Sequence, residues 1–222
     1  MISALQRFVR YTEEHMEETE LWMLPYSTLM LTLVILFIMF YAFSQSQSVE
    51  YETALSDLAS TNPDDPRVKQ LKQEIALAQN IRDFIQKNNL AGKIQVIMTP
   101  HSIKIKMESL ALFDSGSADL KQDSRMFLDH LHEQLKPLSN RVIAEGHTDN
   151  VPIHTAQFNS NWELSSARAF SVIYYFINKG LAPERLVAHG LGEYRPAFSN
   201  ESETDRAKNR RIEITIVRGV SG

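Results

Sequence analysis

The 222-residue sequence contains no cysteine, which excludes disulfide frameworks and thiolate metal sites and leaves the compartment to be read from other features. Positive charge is not in excess: 23 Lys and Arg stand against 27 Asp and Glu, a net charge of -4. With no long Lys/Arg run either, nucleic acid is a poor partner. There is no Gly-x-Ser-x-Gly elbow and no phosphate-binding loop, so the marks of serine-hydrolase and nucleoside-triphosphate chemistry are missing and the chain reads as a non-enzyme. His147 stands in a His-Thr-Asp string, yet no second His, Cys or Glu falls at ligand spacing. A structural histidine is the better reading, and no metal or other cofactor is expected. His130 and His132 lie two apart on a helix and face different ways. No internal repeat is evident.

What the sequence does have is a normal globular mixture, 43% hydrophobic and 23% charged, and one long apolar run. Residues 21–43 carry no charge. At ~1.5 Å per residue they span roughly 35 Å, enough for a hydrocarbon core of about 30 Å with some tilt. A buried core helix is rarely so apolar all round. A cleaved signal peptide seldom has a leader with Glu13, Glu14, Glu17, Glu18 and Glu20. A single transmembrane helix at 21–44 is therefore expected. Arg7 and Arg10 precede it and the next basic residue after it is Arg67, which places a tail at 1–20 in the cytoplasm and the rest outside, in the periplasm of a two-membrane cell.

Residues 45–90 read as a linker. They begin with alternating Ser and Gln and hold a short amphipathic helix at 49–58. After Asp65 as N-cap and Pro66 at the first helical position, a helix follows over 66–88 with Val68, Leu71, Ile75, Ala78 and Ile85 on its apolar side. Residues 91–222 form a domain. Ile94, Val96, Met98 and then Ile103, Ile105, Met107 alternate with polar neighbours about a turn at 99–102, a β-hairpin. Leu120, Phe127, Leu131 and Leu135 mark a helix ended by Pro137, and 141–145 is a short strand. Ser160 and Glu163 form a capping box for a helix that stops at Gly180, and 186–189 and 211–217 supply the last strands. The fold class is α+β, a mixed sheet with helices on one side, preceded by the membrane helix and a helical linker.

Four segments of the domain carry a resemblance: residues 112–118 (Leu-Phe-Asp-Ser-Gly-Ser-Ala), 145–153 (Glu-Gly-His-Thr-Asp-Asn-Val-Pro-Ile), 160–169 (Ser-Asn-Trp-Glu-Leu-Ser-Ser-Ala-Arg-Ala) and 206–214 (Arg-Ala-Lys-Asn-Arg-Arg-Ile-Glu-Ile). With 190–196 they resemble the OmpA-like peptidoglycan-binding domain, and more narrowly its MotB-type version. The resemblance implies a ligand, the meso-diaminopimelate of uncrosslinked stem peptides, a zwitterion with free ammonium and carboxylate groups. A carboxylate acceptor and an Arg fork suit such a ligand. By the same resemblance Asp149 and Arg168 take those roles, and Asn161, Asp114 and Arg210 line the site. Taken without it, an internal salt bridge between Asp149 and Arg168 is the favoured reading; the resemblance reverses that preference.

Residues 22–44 are similar to the membrane span of MotB-type stator B subunits, which starts at a Trp and carries an Asp before Leu-Met. Here Leu29-Met30 are present, but the ion-path position is Thr28. A hydroxyl does not titrate near neutral pH, so it cannot replace a carboxylate that binds and releases H⁺ or Na⁺ in a low-dielectric path. Ser27, Thr28 and Thr32 also suit packing against a partner helix. Two functions stay open. One is a dimeric MotB-like subunit inside a ring of multi-span MotA-like partners, anchoring an ion-driven inner-membrane motor to peptidoglycan. The other is a non-conducting wall tether or stator accessory.

Overall fold

The computed structural model describes residues 6, 23, 25–42 and 66–218. It falls into two compact units, Met1–Tyr51 and Glu52–Gly222. The first holds helix α1, Pro25–Ala42, with a mean hydropathy of 1.8 and none of it buried within the chain. Its 18 residues rise about 27 Å. Thr28 and Thr32 turn their hydroxyls back onto the carbonyls of Pro25 and Leu29, at 2.9 and 2.8 Å, the local bond by which such residues satisfy themselves in an apolar helix. The expected cytoplasmic tail, the ends of the 21–44 span and the 49–58 helix lie outside the described residues.

The second unit is built on a five-stranded sheet: β1 (Ile94–Met98), β2 (Ser102–Glu108), β3 (Val142–His147), β4 (Leu186–Gly190) and β5 (Arg211–Val217), in the order β1-β2-β5-β3-β4. Only β3 and β4 run parallel, because the connection between them is a helix, and a helix is the standard crossover for parallel neighbours. Alternation sets the faces. Ile103, Ile105 and Met107 of β2 pair with Ile216, Ile214 and Ile212 of β5, and all six are buried in the core with Val142 and Ala144. The intervening Lys104, Lys106 and Glu213 share the other face and meet in ion pairs, Lys104 to Glu213 at 2.7 Å.

Three helices supply the opposing apolar side: α2 (Pro66–Lys87), α4 (Gln122–Leu135) and α5 (Asn161–Asn178), with the single turn α3 (Ser109–Leu112) between them. The buried seam of α2 is Glu74, Leu77, Ala78, Ile81 and Ile85, so the expected apolar side is shifted: Leu71 and Ile75 are only partly covered. The side chains of 77–85 belong to the same core as the sheet. The packed unit thus takes in chain that the sequence assigned to the linker before residue 91.

Glu74 anchors this helix: its carboxylate accepts from Arg218 Nε at 2.8 Å and from Asn140 Nδ2 at 2.8 Å. Leu120 sits ahead of α4 rather than within it, bridged to Phe113. A 3-10 turn at Pro183–Arg185 and helix α6, Glu203–Asn209, were not expected.

Strand β3 runs on to His147 because Gly146 does not break it. Gly146 pairs with Gly190 of β4, and α5 rests on both. A Cβ on Gly146 would overlap the carbonyl of Ser165, and one on Gly190 would overlap Ser166. This close approach fixes the first turns of α5 over the carboxyl ends of β3 and β4. Ser160 caps α5 by accepting from Glu163 N at 3.2 Å, while Glu163 reaches back to Asn159 N at 2.7 Å. The reciprocal arm of the capping box therefore lands one residue earlier than expected. Gly180, at φ +98°, closes the helix; the Gly180 and Leu181 amides donate to Ile177 and Phe176 carbonyls.

Candidate functional site

The loop after β3, the first turns of α5, the α3 turn and α6 enclose a cleft of ≈ 730 Å³, lined by Asp149, Asn161, Arg168 and Arg210, and also by Ser109, Thr148, Val151 and Glu203. Four of the five residues expected for the site are thus brought together from positions 149 to 210.

Asp149 stands at the mouth of β3 and is buried. One carboxylate oxygen accepts from Val151 N at 3.1 Å, an Asx turn that fixes the loop, and the other accepts from Arg210 Nη1 at 2.6 Å. Arg210 spans two acids, since its Nη2 donates to Glu203 Oε1 at 2.7 Å. Burial works against the Arg210 charge, but its hydrogen bonds to Asp149 and Glu203 outweigh that and raise its pKa. Glu203 is held below the usual carboxylate range by Arg210 first and Arg206 second.

Arg168 projects from the third turn of α5 and is only 4% exposed. Its Nε donates to the carbonyl of Ser117 at 2.8 Å and its Nη2 to that of Asp114 at 3.2 Å, with the guanidinium carbon 5.3 Å from the centre of the Phe113 ring. Among the described residues no carboxylate approaches it within ion-pair distance. An internal salt bridge between Asp149 and Arg168 is therefore not what the fold makes. Burial, and then the like charge of Arg210, push the Arg168 pKa down to about 10, against the pull of Asp149. A buried cation that lines a cleft and touches only neutral carbonyls and a ring retains unused attraction for an anion.

Asn161, the first residue of α5, donates from Nδ2 to the carbonyls of Asp149 and Val151 and to Glu193 Oε2, at 3.3, 3.0 and 2.8 Å. It braces the loop that carries Asp149. Asp114 departs from expectation: its carboxylate is 77% exposed and pairs with Lys121 at 3.1 Å. It is absent from the cleft lining; only its carbonyl serves the site, by holding Arg168. The cause is the tight turn at Gly116, φ +68°, which presents backbone carbonyls inward and leaves the Asp114 side chain to solvent.

Two site residues were not anticipated. Ser109 lines the cleft, while its Oγ is buried with no hydrogen-bond partner among the described residues, and nothing in its sequence neighbourhood marks it. Glu203 comes with α6, whose start does carry a signal: Ser202 Oγ accepts from Asp205 N at 3.1 Å, a Ser-x-x-Asp cap. His147 is buried behind the site, its ring nitrogens unpartnered among the described residues. Burial first, then the charge of Arg211, lower its pKa to about 4. Among the described residues no cluster of three or more potential ligands could hold a metal ion.

Comparison with known proteins covers both units. Residues 112–210 match the OmpA family, and residues 9–61 match the family described as membrane MotB of the proton-channel complex MotA/MotB. The chain is 28% identical over 212 residues to the uncharacterized protein YtxE of Bacillus subtilis, covering 88% of this chain and 87% of that one. Motility protein B of the same organism is also 28% identical, over 247 residues, covering 94% of each chain. Among solved structures, a putative MotB-like protein from Desulfovibrio vulgaris superposes with a TM-score of 0.62 at 29% identity, covering 69% of this chain and 99% of that one.

Proposed function

We propose, from the premise that this chain belongs to the MotB-type stator B subunits with a C-terminal OmpA-like domain, that its cleft holds the free zwitterionic end of a diaminopimelate stem peptide. The chain is a stator subunit that anchors an inner-membrane complex to peptidoglycan. The observation that carries the ligand reading is Arg168: a buried guanidinium on a cleft, held by carbonyls and without a carboxylate partner among the described residues. A ligand carboxylate supplies the missing charge-assisted bonds. Asp149, already fixed by Val151 N and Arg210, keeps lone pairs for the ligand ammonium. Asn161 positions the loop, and Arg210 keeps Asp149 ionised and oriented. The family consists of structural and motor components, and the cleft acts by retention, with no bond cleaved.

Helix α1 crosses the inner membrane with Arg7 and Arg10 on the cytoplasmic side, and the OmpA-like domain stands in the periplasm. The subunit dimerises and sits among multi-span MotA-like partners. Thr28, with its hydroxyl on the Pro25 carbonyl, packs the helix and does not titrate, so H⁺ or Na⁺ moves through the assembly without a charge-changing group at this position.

The test is cosedimentation of the full-length chain, in detergent, with purified sacculi. The wild type sediments, and Asp149→Ala and Arg168→Ala remain in the supernatant. Undiminished sedimentation of both variants would remove the assignment of the cleft.

A further inference from the structure

A second recess, of ≈ 340 Å³, opens between the start of β1, the end of β2, the start of β5, α6 and the loop that carries Phe198. It shares no lining residue with the cleft. Four cations line it, Lys93, Lys106, Lys208 and Arg211, against one acid, Glu108, in a chain whose net charge is -4.

The fold builds this recess from both sides. Glu108 N donates to the Lys93 carbonyl at 3.0 Å, which sets Lys93 beside the end of β2. Lys106 and Arg211 lie on the face of the sheet away from the core, because Ile105, Met107, Ile212 and Ile214 take the core side. Asn209, fully buried, clamps the opposite wall. Its Oδ1 accepts from Ala197 N and Phe198 N at 2.9 and 3.0 Å, and its Nδ2 donates to the Phe198 carbonyl at 2.9 Å. The half-exposed Phe198 ring is thereby held with its centre 4.7 Å from Lys208 Nζ.

The positive charge is under-compensated. Glu213, behind the recess, answers three cations at once, Arg211 and Lys104 at 2.7 Å and Lys106 at 3.9 Å. Burial opposes its charge, yet its bonds to Lys104 and Arg211 hold its pKa down to about 2. Lys208 reaches Asp205 at 3.4 Å. Among the described residues Lys93 has no acid within ion-pair distance. Ammonium groups that converge from different elements suit an anion with oxygens on several sides. A phosphate monoester presents three strong acceptor oxygens and a charge of about -1.5 to -2. A planar carboxylate is better matched by an Arg fork, and the one Arg here is already bound to Glu213 and to the Arg195 carbonyl, at 2.7 and 3.3 Å. The Phe198 ring offers an apolar side for the carbon skeleton of an ester.

We infer that this recess is a binding site for a phosphate group esterified to glycerol or a similar polyol, with Lys93, Lys106 and Lys208 as its donors. The site is independent of the stem-peptide cleft and adds an anionic ligand to a zwitterionic one.

The test is calorimetric titration of the full-length chain, in non-ionic detergent, with glycerol 3-phosphate. Binding is expected, and it weakens severalfold as salt rises past ~0.1 M, where charges are screened beyond about 10 Å. Lys93→Gln, at an exposed position, and Lys106→Gln, at a side chain 34% exposed, each weaken it roughly five- to tenfold. Lys136→Gln, at an exposed lysine just after α4, leaves it unchanged. Acetate binds at least about tenfold more weakly, and the diaminopimelate tripeptide does not displace the phosphate. Preference for glycerol 3-phosphate over glycerophosphoglycerol identifies a free monoester as the source, and the reverse preference a diester such as a lipid headgroup; either agrees with the site.

No binding of either ester, equal binding of acetate, or equal weakening by Lys136→Gln overturns the site. Binding that survives both Lys93→Gln and Lys106→Gln does the same, and displacement by the tripeptide moves the phosphate into the cleft.

Discussion

Asp149 closes on Arg210, at 2.6 Å, and not on Arg168, although both guanidinium groups line the same cleft. Arg210 is thereby committed to orienting the acid. Arg168 is held by the carbonyls of Ser117 and Asp114 and lies over the Phe113 ring, so the cleft contains one internally balanced charge pair and one buried cation that has no carboxylate in ion-pair contact among the described residues. The two arginines are chemically alike and have different work.

The Asp149–Arg210 pair is expected to show energetic coupling. Arg210→Ala leaves a buried carboxylate without its main partner and lowers stability by about 1–3 kcal/mol. In a double-mutant cycle with Asp149→Asn, the interaction energy measured by urea unfolding is roughly 1–2 kcal/mol. Simple additivity of the two substitutions would show that the pair holds nothing in place.

Glu74 and Arg218 make the most buried ion pair among the described residues, both side chains 4% exposed and 2.8 Å apart. They tie α2 to the end of β5. Removing one partner strands a buried charge, so Glu74→Ala costs about 3–5 kcal/mol, whereas Glu74→Met with Arg218→Met recovers most of it. Denaturant midpoints of the three proteins check this. A double variant as unstable as the single one would mean that the bonds from Asn140 to Glu74 and from Arg218 to Thr99 carry the contact instead.

His147 makes stability depend on pH. Its folded pKa of about 4 lies below the ordinary 6.5, through burial first and the Arg211 charge second, with Lys104 acting in the same sense and Glu213 against it. The unfolded chain therefore binds the proton more readily. Stability is complete above about pH 6.5 and falls as pH drops toward 4, by about 3 kcal/mol in all. Glu213, buried but held down to about 2 by its bonds to Lys104 and Arg211, loses its contribution only below its ordinary 4.5. Urea midpoints between pH 7.5 and 4.5 should fall for the wild type and stay flatter for His147→Gln. Parallel profiles would assign the acid sensitivity elsewhere.

Much of the domain was legible because its strands alternate strictly: Ile103, Ile105 and Met107 announce both their element and their buried face. The α2 seam was harder, because Leu71 and Ile75 compete at helical spacing with Leu77 and Ile81. Only packing against β1 and α4 selects the second set. The end of β3 was hidden by Gly146, which reads as a breaker until α5 is laid on it. Helix α6 has almost no apolar period, and the one signal it carries, the Ser202 cap with Asp205, is too short to announce a helix by itself. Asp149, Asn161, Arg168 and Arg210 could be named through the family resemblance, but which arginine meets Asp149, 61 residues away from Arg210, is a property of the fold. Asp114 shows the converse: its backbone serves the site while its side chain faces water.

The most direct measurement is calorimetric titration of the full-length chain with two tripeptides, one ending in meso-diaminopimelate and one in lysine, which keeps the ammonium and lacks the distal carboxylate. The wild type is expected to prefer the first by roughly tenfold or more, and Arg168→Met to lose the preference. Equal affinity of the wild type for both peptides, or a preference that survives Arg168→Met, would contradict the claim that this buried arginine awaits the carboxylate of the cell wall.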